Sequence, residues 1–417
     1  MKTIQSLLIL IALGATSMLN AQTVLQHVYV LNEGAYGPKN GSLTKTNYPT
    51  YSASTTPVNN PSNFGTTLYW ANNKLYAAYD TVVYTINPTT MQKTDSIFIE
   101  GVRVVKVKDS ILYVTRDTAP YFQAYNLTTK SLIWSTSGLK GACEGFDFMS
   151  IGNRAAVCVN AFGFEDTLAV VNLNTGSIIQ QYATALNPQD VYINGSKAYV
   201  FCTTNFTNSA ITTIDLLTST ITTTNTGLIS YGGTTVDTVN QRLYFIATNG
   251  SFTTPKYWVK RFDLATSTLI AGNTIDTVFA DAIYSIKYDH LNEQFFCGIT
   301  DFFSFGKVNR YDKFGNLQDF FVTGVGPRSI VLQYGIGSEI TENEVKMPNL
   351  NVYPNPAQEY LCIDIKQAGA VQIWNSTGQM VKTLTLANGT HRIPVSDMPS
   401  GMYFIRTEQE VIKFLKQ

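Results

Sequence analysis

One short unit recurs through most of the chain and limits the folds that it can adopt. In residues 168–182, an apolar strand ends in a polar turn at Asn172 and Gly176, and a second strand follows. Asn and Asp suit such turns because their short side chains hydrogen-bond to the backbone two residues further on. Turns of this kind are spaced 39 to 49 residues apart. The turn residues are Asn47, Asn87, Asn126, Asn172, Asp215, Asp263 and Asp312.

A second series of segments follows the first, because a β-branched or aromatic run comes after each turn unit. We interpret these runs as the innermost strands of the repeats. They cover residues 64–70, 102–107, 145–151, 190–193, 234–239, 282–288 and 328–334. Repeats of this length, each too small to bury its own faces, are typical of the four-stranded blades of a β-propeller. The sequence therefore predicts an all-β chain with a seven-bladed propeller over residues 22–334.

The two series are offset from each other. The first turn unit has no inner strand before it, and the last inner strand has no turn unit after it. This offset predicts that residues 328–334 pair with the N-terminal strand 27–31, so that both ends of the propeller build one blade. Closure of this kind removes free sheet edges, which otherwise favour aggregation.

Composition agrees with a β-rich fold and excludes some partners. Tyr and Phe are abundant, with 24 and 23 residues, and no long amphipathic helical period occurs. Lys plus Arg equals Asp plus Glu at 29 each, so we expect no nucleic-acid partner. The five cysteines have no metal-binding spacing and are expected to be buried free thiols, with a Cys143–Cys158 disulfide as the alternative.

The N-terminus has the features of a secretory signal peptide over residues 1–21. Lys2 precedes an apolar core at residues 7–15, and the small residue Ala21 precedes Gln22. That core is much shorter than the roughly 20 residues that a spanning helix needs. We therefore predict export without a membrane span.

The predicted loops between the second and third strands of the blades are long and aromatic, although turns gain nothing from aromatic residues. They cover residues 32–41, 115–122, 160–166, 203–208, 248–257 and 300–306, and we expect them on one face with the loops that lead into the inner strands. One interpretation is a stacking platform for a planar or sugar ligand, and the alternative is that the aromatic side chains cover the blade ends. The candidate ligand-binding residues are Asn32, Glu33, Tyr36, Tyr121, Phe122, Glu144, Phe162, Phe164, Asp190, Phe206, Tyr257, Asp281, Phe303 and Arg328.

The last residues follow another pattern. Residues 335–349 are polar and predict a linker, and residues 350–417 predict a small β-sandwich of short strands between P-N-P, S-T-G, A-N-G and P-S-G turns. This tail closely resembles the type A C-terminal sorting domain of the type IX secretion system. The residues that carry the resemblance are Tyr353, Pro354, Asn355, Pro356, Gly378, Gly401, Tyr403 and Lys413. It implies that the secretion machinery and a sortase act on residues 350–417, and that the product is extracellular or attached to the outer-membrane surface.

The propeller resembles the YVTN-type, surface-layer-like propellers of secreted bacterial proteins. The motifs that carry this resemblance are Leu112-Tyr113-Val114-Thr115, V-L-N-E-G at residues 30–34 and G-V-G-P-R-S-I at residues 324–330. Some proteins of this kind capture cobalamin, so the resemblance adds a corrinoid to the small-molecule and glycan ligands under consideration.

Few residues suit catalysis. The chain has only three histidines, at positions 27, 290 and 391, and no metalloprotease or nucleophile-elbow motif. Glu165 and Asp166 are adjacent, so on a strand they would point to opposite faces. We predict no catalytic residues, no metal site and no cofactor, and interpret the chain as a surface binding or scaffold protein. A carbohydrate- or lactone-active hydrolase or lyase is the alternative.

Overall fold

The computed structural model describes residues 23–35, 40–58, 64–251, 253–277, 282–336, 350–366, 368–375, 379–407 and 411–417. The described residues are almost entirely β-strand and turn, and only two short 3-10 helices occur among them, at Ala161–Gly163 and Thr204–Phe206. The chain divides into two compact units, one of residues 22–336 and one that contains the strands of residues 350–417. Among the described residues, no helix has the length and apolar character that a membrane crossing needs. All five cysteines are free, and four of them are buried.

The first unit contains 28 described strands. In chain order they are β1 (Thr23–Asn32), β2 (Ser42–Asn47), β3 (Ala53–Pro57), β4 (Gly65–Ala71), β5 (Lys74–Tyr79), β6 (Val82–Ile86), β7 (Lys93–Phe98), β8 (Val102–Lys108), β9 (Ile111–Arg116), β10 (Phe122–Asn126), β11 (Leu132–Ser135), β12 (Cys143–Phe148), β13 (Arg154–Val159), β14 (Thr167–Asn172), β15 (Ile178–Ala183), β16 (Pro188–Asn194), β17 (Lys197–Cys202), β18 (Ala210–Asp215), β19 (Thr220–Asn225), β20 (Thr234–Asp237), β21 (Arg242–Thr248), β22 (Tyr257–Asp263), β23 (Thr268–Thr277), β24 (Ala282–Asp289), β25 (Gln294–Thr300), β26 (Lys307–Asp312), β27 (Leu317–Val322) and β28 (Pro327–Ile336).

These strands form seven four-stranded antiparallel sheets among the described residues. Sheet I has the order β28-β1-β2-β3, and sheets II to VII take the following strands four at a time, from β4-β5-β6-β7 to β24-β25-β26-β27. In sheet I the two ends of the unit pair with each other, with Val28 opposite Leu332 and Val30 opposite Ile330. Strand β28 ends at Ile336, two residues beyond the expected end of the propeller segment, and residues 337–349 of the expected linker lie outside the described residues.

The repeated turns have the local cause that the sequence predicts. In six of the seven, the side-chain oxygen of the Asn or Asp accepts a hydrogen bond from the backbone N–H two or three residues later, as from Thr128 to Asn126 at 2.8 Å. The residues are Asn87, Asn126, Asn172, Asp215, Asp263 and Asp312. Asp263 accepts from Thr266, three residues later, and the other five accept from the residue two positions later. Each turn joins the third and fourth strands of a sheet, so the same polar unit ends each repeat.

Neighbouring sheets pack through their second and third strands. Strand β25, for example, is buried at all seven positions, whereas β19 is exposed at five of its six. The side chains of these middle strands form hydrophobic clusters between adjacent sheets. One such cluster joins Phe201 and Ile211 of sheet V to Leu243, Phe245 and Phe262 of sheet VI.

The first strands of the sheets, β28, β4, β8, β12, β16, β20 and β24, are called the inner strands here. Neighbouring inner strands lie side by side, but β16 and β20 approach each other least. Strand β20 has only four residues, and Gly232 and Gly233 before it have φ values of +105° and +87°. This conformation strains residues that have a Cβ. The two glycines therefore allow an irregular segment to precede β20, and the strand is short.

The second unit contains seven strands in two sheets. They are β29 (Leu350–Tyr353), β30 (Tyr360–Ile365), β31 (Gly369–Asn375), β32 (Met380–Leu386), β33 (Gly389–Pro394), β34 (Gly401–Arg406) and β35 (Val411–Lys416). The sheet orders are β29-β30-β33 and β32-β31-β34-β35. Both sheets contribute to one hydrophobic core, in which Leu361 and Ile363 of the first lie with Ile373, Ile405 and Phe414 of the second.

Candidate functional site

A cavity of about 620 Å³ is bordered by residues of all seven inner strands. We call it the central cavity. Its wall is shaped by register irregularities near the start of six of these strands. A β-bulge adds an unpaired residue, bends the strand and changes the direction of side chains. The unpaired residues are Thr66, Arg103, Val104, Glu144, Gly145, Gln189, Tyr284 and Arg328.

Arg328 is the centre of a hydrogen-bonded group at one end of the cavity. Its guanidinium Nη1 lies 3.4 Å from Glu33 Oε2, and its Nε donates to the Thr66 carbonyl at 3.3 Å. The Tyr284 hydroxyl donates to Glu33 and accepts from Arg328. Burial raises the pKa of Tyr284 to about 12, so its hydroxyl is a neutral donor at physiological pH. Burial alone would lower the pKa of Arg328, but Tyr284, Glu33 and Glu144 together raise it.

A second ion pair lies beside this group. Glu144 Oε1 accepts from Arg103 Nε at 2.9 Å and lies 2.7 Å from Arg103 Nη2. Both side chains are only partly exposed, at 27% and 15%. We call Glu33, Arg103, Glu144, Tyr284 and Arg328 the mouth cluster. Because each carboxylate faces an arginine, the cluster offers hydrogen-bond donors and acceptors with no excess charge.

Further along the inner strands, charged residues form a second layer. Lys106 Nζ lies 2.8 Å from Asp147 Oδ1, so this pair is also balanced. Asp190 accepts hydrogen bonds from the Thr234 hydroxyl and from the Val191 N–H, and burial raises the pKa of its carboxyl. Lys287 also borders the central cavity. Loss of hydration beside the cavity wall, followed by repulsion from Lys106, lowers the pKa of Lys287, although the residue as a whole is exposed to the space between the strands.

Gly145 allows the layer to be this compact. A Cβ at this position would lie 2.7 Å from Asp190 Oδ1 and 2.7 Å from the Gln189 carbonyl oxygen. Both distances are shorter than van der Waals contact allows. A side chain at position 145 would therefore push strands β12 and β16 apart.

The structure brings four of the predicted ligand-binding residues to the central cavity or its mouth. Glu144, Asp190 and Arg328 border the cavity, and Glu33 joins them through its contact with Arg328. Glu33 comes from the loop after β1, whose N–H groups donate to the carbonyls of Val325 and Gly326, the two residues before β28. The loop and the inner strand are close because both belong to sheet I.

Four predicted aromatic residues lie exposed on loops between second and third strands. Phe162, Phe164, Phe206 and Phe303 are 69%, 83%, 48% and 85% exposed. The Phe206 ring lies 5.5 Å from the ring of Tyr231, which borders the central cavity. Phe206 therefore lies next to the edge of the central cavity. Within the described residues, the other three rings make no comparable contact with an aromatic ring.

Other predicted residues are not available to a ligand at the surface. Asn32 is completely buried, and its amide donates to the hydroxyls of Ser42 and Thr44 at 3.1 and 2.9 Å. Phe122 is a core residue because β10 begins there rather than after it.

Tyr121 and Tyr257 are partly buried and pack against hydrophobic clusters. Their rings thus follow the alternative interpretation, in which aromatic side chains cover the blade ends. Tyr36 and Asp281 lie outside the described residues.

Arg103, Lys106, Tyr284 and Lys287 also belong to the cavity or its mouth, and the sequence pattern did not indicate them. All four lie within inner strands, where strict alternation assigns every second side chain to one face. The bulges interrupt that alternation, and no residue type in the sequence signals them. Tyr231 was also missed, although its position next to Gly232 and Gly233 marks a turn.

Among the predicted sorting-signal residues, Asn355 links the start of the tail domain to its last strand. Its amide nitrogen donates to the Lys413 carbonyl at 3.2 Å, and its Oδ1 accepts from the Leu415 N–H at 2.9 Å. The Tyr403 hydroxyl donates to the Pro399 carbonyl at 2.8 Å. Tyr353 is exposed at the end of β29 and is followed by Pro354, with Pro356 two residues further on. Gly401 begins β34, and Gly378 lies outside the described residues.

Within the described ranges, no group of three or more His, Cys, Asp or Glu residues is arranged to hold a metal ion. The charged residues of the central cavity and its mouth are instead lysines, arginines and carboxylates, most of them in pairs of opposite charge. This arrangement suits hydrogen bonding and charge pairing with a ligand.

Residues 351–417 match the family model of the secretion system C-terminal sorting domain. The match confirms the predicted type IX sorting domain and indicates export to the cell surface or the medium. No curated protein matches the chain in sequence.

Solved structures with little sequence identity resemble the chain. A putative 6-phosphogluconolactonase from Bacteroides fragilis is 10% identical, with a TM-score of 0.56 and coverage of 74% of this chain and 98% of its own. A second one, from Bacteroides uniformis, is 10% identical, with a TM-score of 0.54 and coverage of 75% and 99%. The Cps50 (Swd1) β-propeller domain of Myceliophteria thermophila is 9% identical, with a TM-score of 0.50 and coverage of 67% and 95%. At these identities the likeness concerns the fold, and it confirms the all-β propeller prediction. The chain is therefore a β-propeller protein with a secretion sorting domain at its C-terminus.

Proposed function

We propose that this protein is a secreted, non-catalytic binding propeller whose ligand contacts the mouth cluster. We further propose that the seven sheets are seven blades of a closed ring. The pairing of β1 with β28 and the position of the central cavity between all seven inner strands support closure. In this proposal the secretion machinery and a sortase recognise the tail, and the product stays on the outer-membrane surface or in the medium. The resemblance to YVTN-type propellers remains part of this proposal.

One observation carries the binding function. Bulges in six inner strands lie beside a common cavity, and each bulge includes a polar side chain. These residues are Thr66, Arg103, Glu144, Gln189, Tyr284 and Arg328. Bulges break ladder hydrogen bonds, so repeating them at equivalent positions has a cost that packing does not explain. Paired arginines and glutamates with a neutral tyrosine hydroxyl suit a ligand rich in hydroxyl groups, such as a glycan.

The experiment is a binding screen of the purified full chain against glycans, with isothermal titration of the ligands found. Tyr284→Phe removes the hydroxyl that joins Glu33 to Arg328, and we expect a loss of about 1–3 kcal/mol in binding free energy. Arg328→Met should abolish binding. The control is Arg154→Met, since Arg154 is exposed at the start of β13, away from the cavity wall.

Two results would contradict the proposal. Conversion of a lactone or glycan by the purified protein, lost in Arg328→Met, would make it a hydrolase or lyase. Binding that Tyr284→Phe and Arg328→Met leave unchanged would place the ligand elsewhere. Corrinoid capture is tested with the same preparation. A bound corrinoid would give the protein visible absorbance, and titration with cobalamin would show whether binding is saturable.

A further inference from the structure

The gap between inner strands β16 and β20 contains a second cavity. Its volume is about 340 Å³, and it is bordered mainly by sheets V and VI. Tyr192, Phe201, Val236 and Leu243 give it an apolar wall, and the hydroxyl groups of Thr234 and Thr235 add polar positions. We call it the side cleft. Its volume is at the lower end of the range of about 300–1,000 Å³ that small-molecule sites have.

The side cleft meets the central cavity at three charged residues. Lys106, Asp190 and Lys287 border both spaces. A ligand in the cleft would therefore have its apolar part between sheets V and VI and its end among these charges. Such a division between an apolar wall and a few polar groups is typical of small-molecule sites.

Lys287 differs from the other cations that border the two spaces. Lys106 is paired with Asp147, and Arg328 is paired with Glu33. Within the described part of the chain, no carboxylate lies at ion-pair distance from Lys287. Asp190 is near enough to affect it, but its carboxyl is already bonded to Thr234 and to the Val191 N–H.

We propose that the side cleft binds a small organic anion with an apolar body, such as an aryl or alkyl carboxylate, whose charged group pairs with Lys287. The inference rests on the proposed function, since it names a ligand class for the same cavity system.

The test uses the full chain and three probes: 4-phenylbutyrate, 4-phenylbutan-1-ol and acetate. We expect saturable binding of 4-phenylbutyrate by isothermal titration at neutral pH. The alcohol has the apolar body without the charge, and acetate has the charge without the body. Each should therefore bind at least about tenfold more weakly, which corresponds to about 1.4 kcal/mol.

Two variants examine the site, and one is a control. Lys287→Met keeps the chain length and removes the charge, so it should weaken 4-phenylbutyrate binding by about tenfold or more. Val236→Phe should fill the cleft and weaken both 4-phenylbutyrate and the alcohol, with an unchanged thermal unfolding midpoint showing that the fold is kept. Lys256→Met removes an exposed lysine of the loop after β21 and should have no effect.

The proposal is overturned if no probe binds, if the alcohol binds as tightly as the carboxylate, or if Lys287→Met binds like the wild type. It can also fail separately from the proposed function. A glycan whose binding requires Arg328 but is indifferent to Lys287→Met and Val236→Phe would leave the mouth cluster as the site and exclude the side cleft.

Discussion

The junction between sheets IV and V and the junction between sheets V and VI are built differently. At the first, β12 and β16 lie side by side, and Gly145 provides the space for their approach. At the second, β16 and β20 are apart, and the packing is carried by Phe201 and Phe245 of the middle strands. Middle strands can therefore hold neighbouring sheets together where an inner strand is short. A cavity can then form beside the inner strands without exposing the core.

The largest effect that this comparison predicts is at the core between sheets V and VI. Phe245 is completely buried, with its ring 5.2 Å from that of Phe201. Phe245→Ala should lower the free energy of unfolding by about 3–5 kcal/mol, because it removes transfer energy and leaves a cavity. Urea unfolding at equilibrium measures the loss.

The matched variant is Val236→Ala, in the inner strand of the same sheet. Val236 is only partly buried beside the side cleft, so the loss should be about 1 kcal/mol or less. If Val236→Ala cost as much as Phe245→Ala, the inner strand would carry this junction, and the contrast with sheets IV and V would not hold.

A smaller effect is expected at the junction between sheets IV and V. Gly145→Ala places a Cβ 2.8 Å from the Asp190 Cα, and backbone atoms cannot move aside as a side-chain end can. We expect a loss of about 1–3 kcal/mol in the free energy of unfolding, the usual cost of overpacking. Thermal and urea unfolding would measure it.

The control for Gly145→Ala is Gly195→Asn. Gly195 has a φ of +59° and open space around its Cα, and Asn tolerates this conformation. Its substitution should change stability by less than about 0.5 kcal/mol. Equal losses for the two variants would mean that crowding at Asp190 is not what makes Gly145 necessary.

The sequence could predict the features that depend on local chemistry. The side chains of Asn126 and Asp263 accept hydrogen bonds from backbone N–H groups two or three residues later. The turns and their repetition could therefore be predicted from the sequence. The pairing of β1 with β28 followed from counting the repeats, since the first turn unit lacked an inner strand and the last inner strand lacked a turn unit.

The cavity wall could not be predicted in the same way, because it depends on register. A shift of one residue moves side chains to the opposite face of a strand. Tyr284 reads as an ordinary aromatic strand residue, yet the bulge between Ile283 and Ser285 brings it to Arg328. The predictions for Asn32 and Phe122 were wrong for a related reason. Strand β1 includes Asn32 and strand β10 includes Phe122, so each strand extends one residue into the predicted loop.

The pH dependence of stability distinguishes a carboxyl that borders the cavity from one on an exposed loop. Burial raises the pKa of Asp190 above its ordinary 3.8, so the folded state binds this proton more tightly than the unfolded state does. This group therefore makes the protein more stable as pH falls from neutral toward 3.8, by at most about 1.4 kcal/mol per pH unit. Asp190→Asn keeps an acceptor for Thr234 and should remove this gain, as unfolding measured between pH 7 and pH 4 would reveal.

Asp301 on an exposed loop provides the comparison, since its pKa has moved in the opposite direction. Hydrogen bonds from the Ser304 hydroxyl and from the Ser304 and Phe303 N–H groups lower it to about 2. Its folded state binds the proton less tightly, so this group stabilises the protein above pH 3.8 and loses that effect as pH falls toward 2. Asp301→Asn should therefore leave the difference between pH 7 and pH 4 nearly unchanged. If Asp190→Asn behaved like Asp301→Asn over that range, water would solvate the Asp190 carboxylate as it does a loop residue, and the cavity would lack the desolvation that sets Asp190 apart.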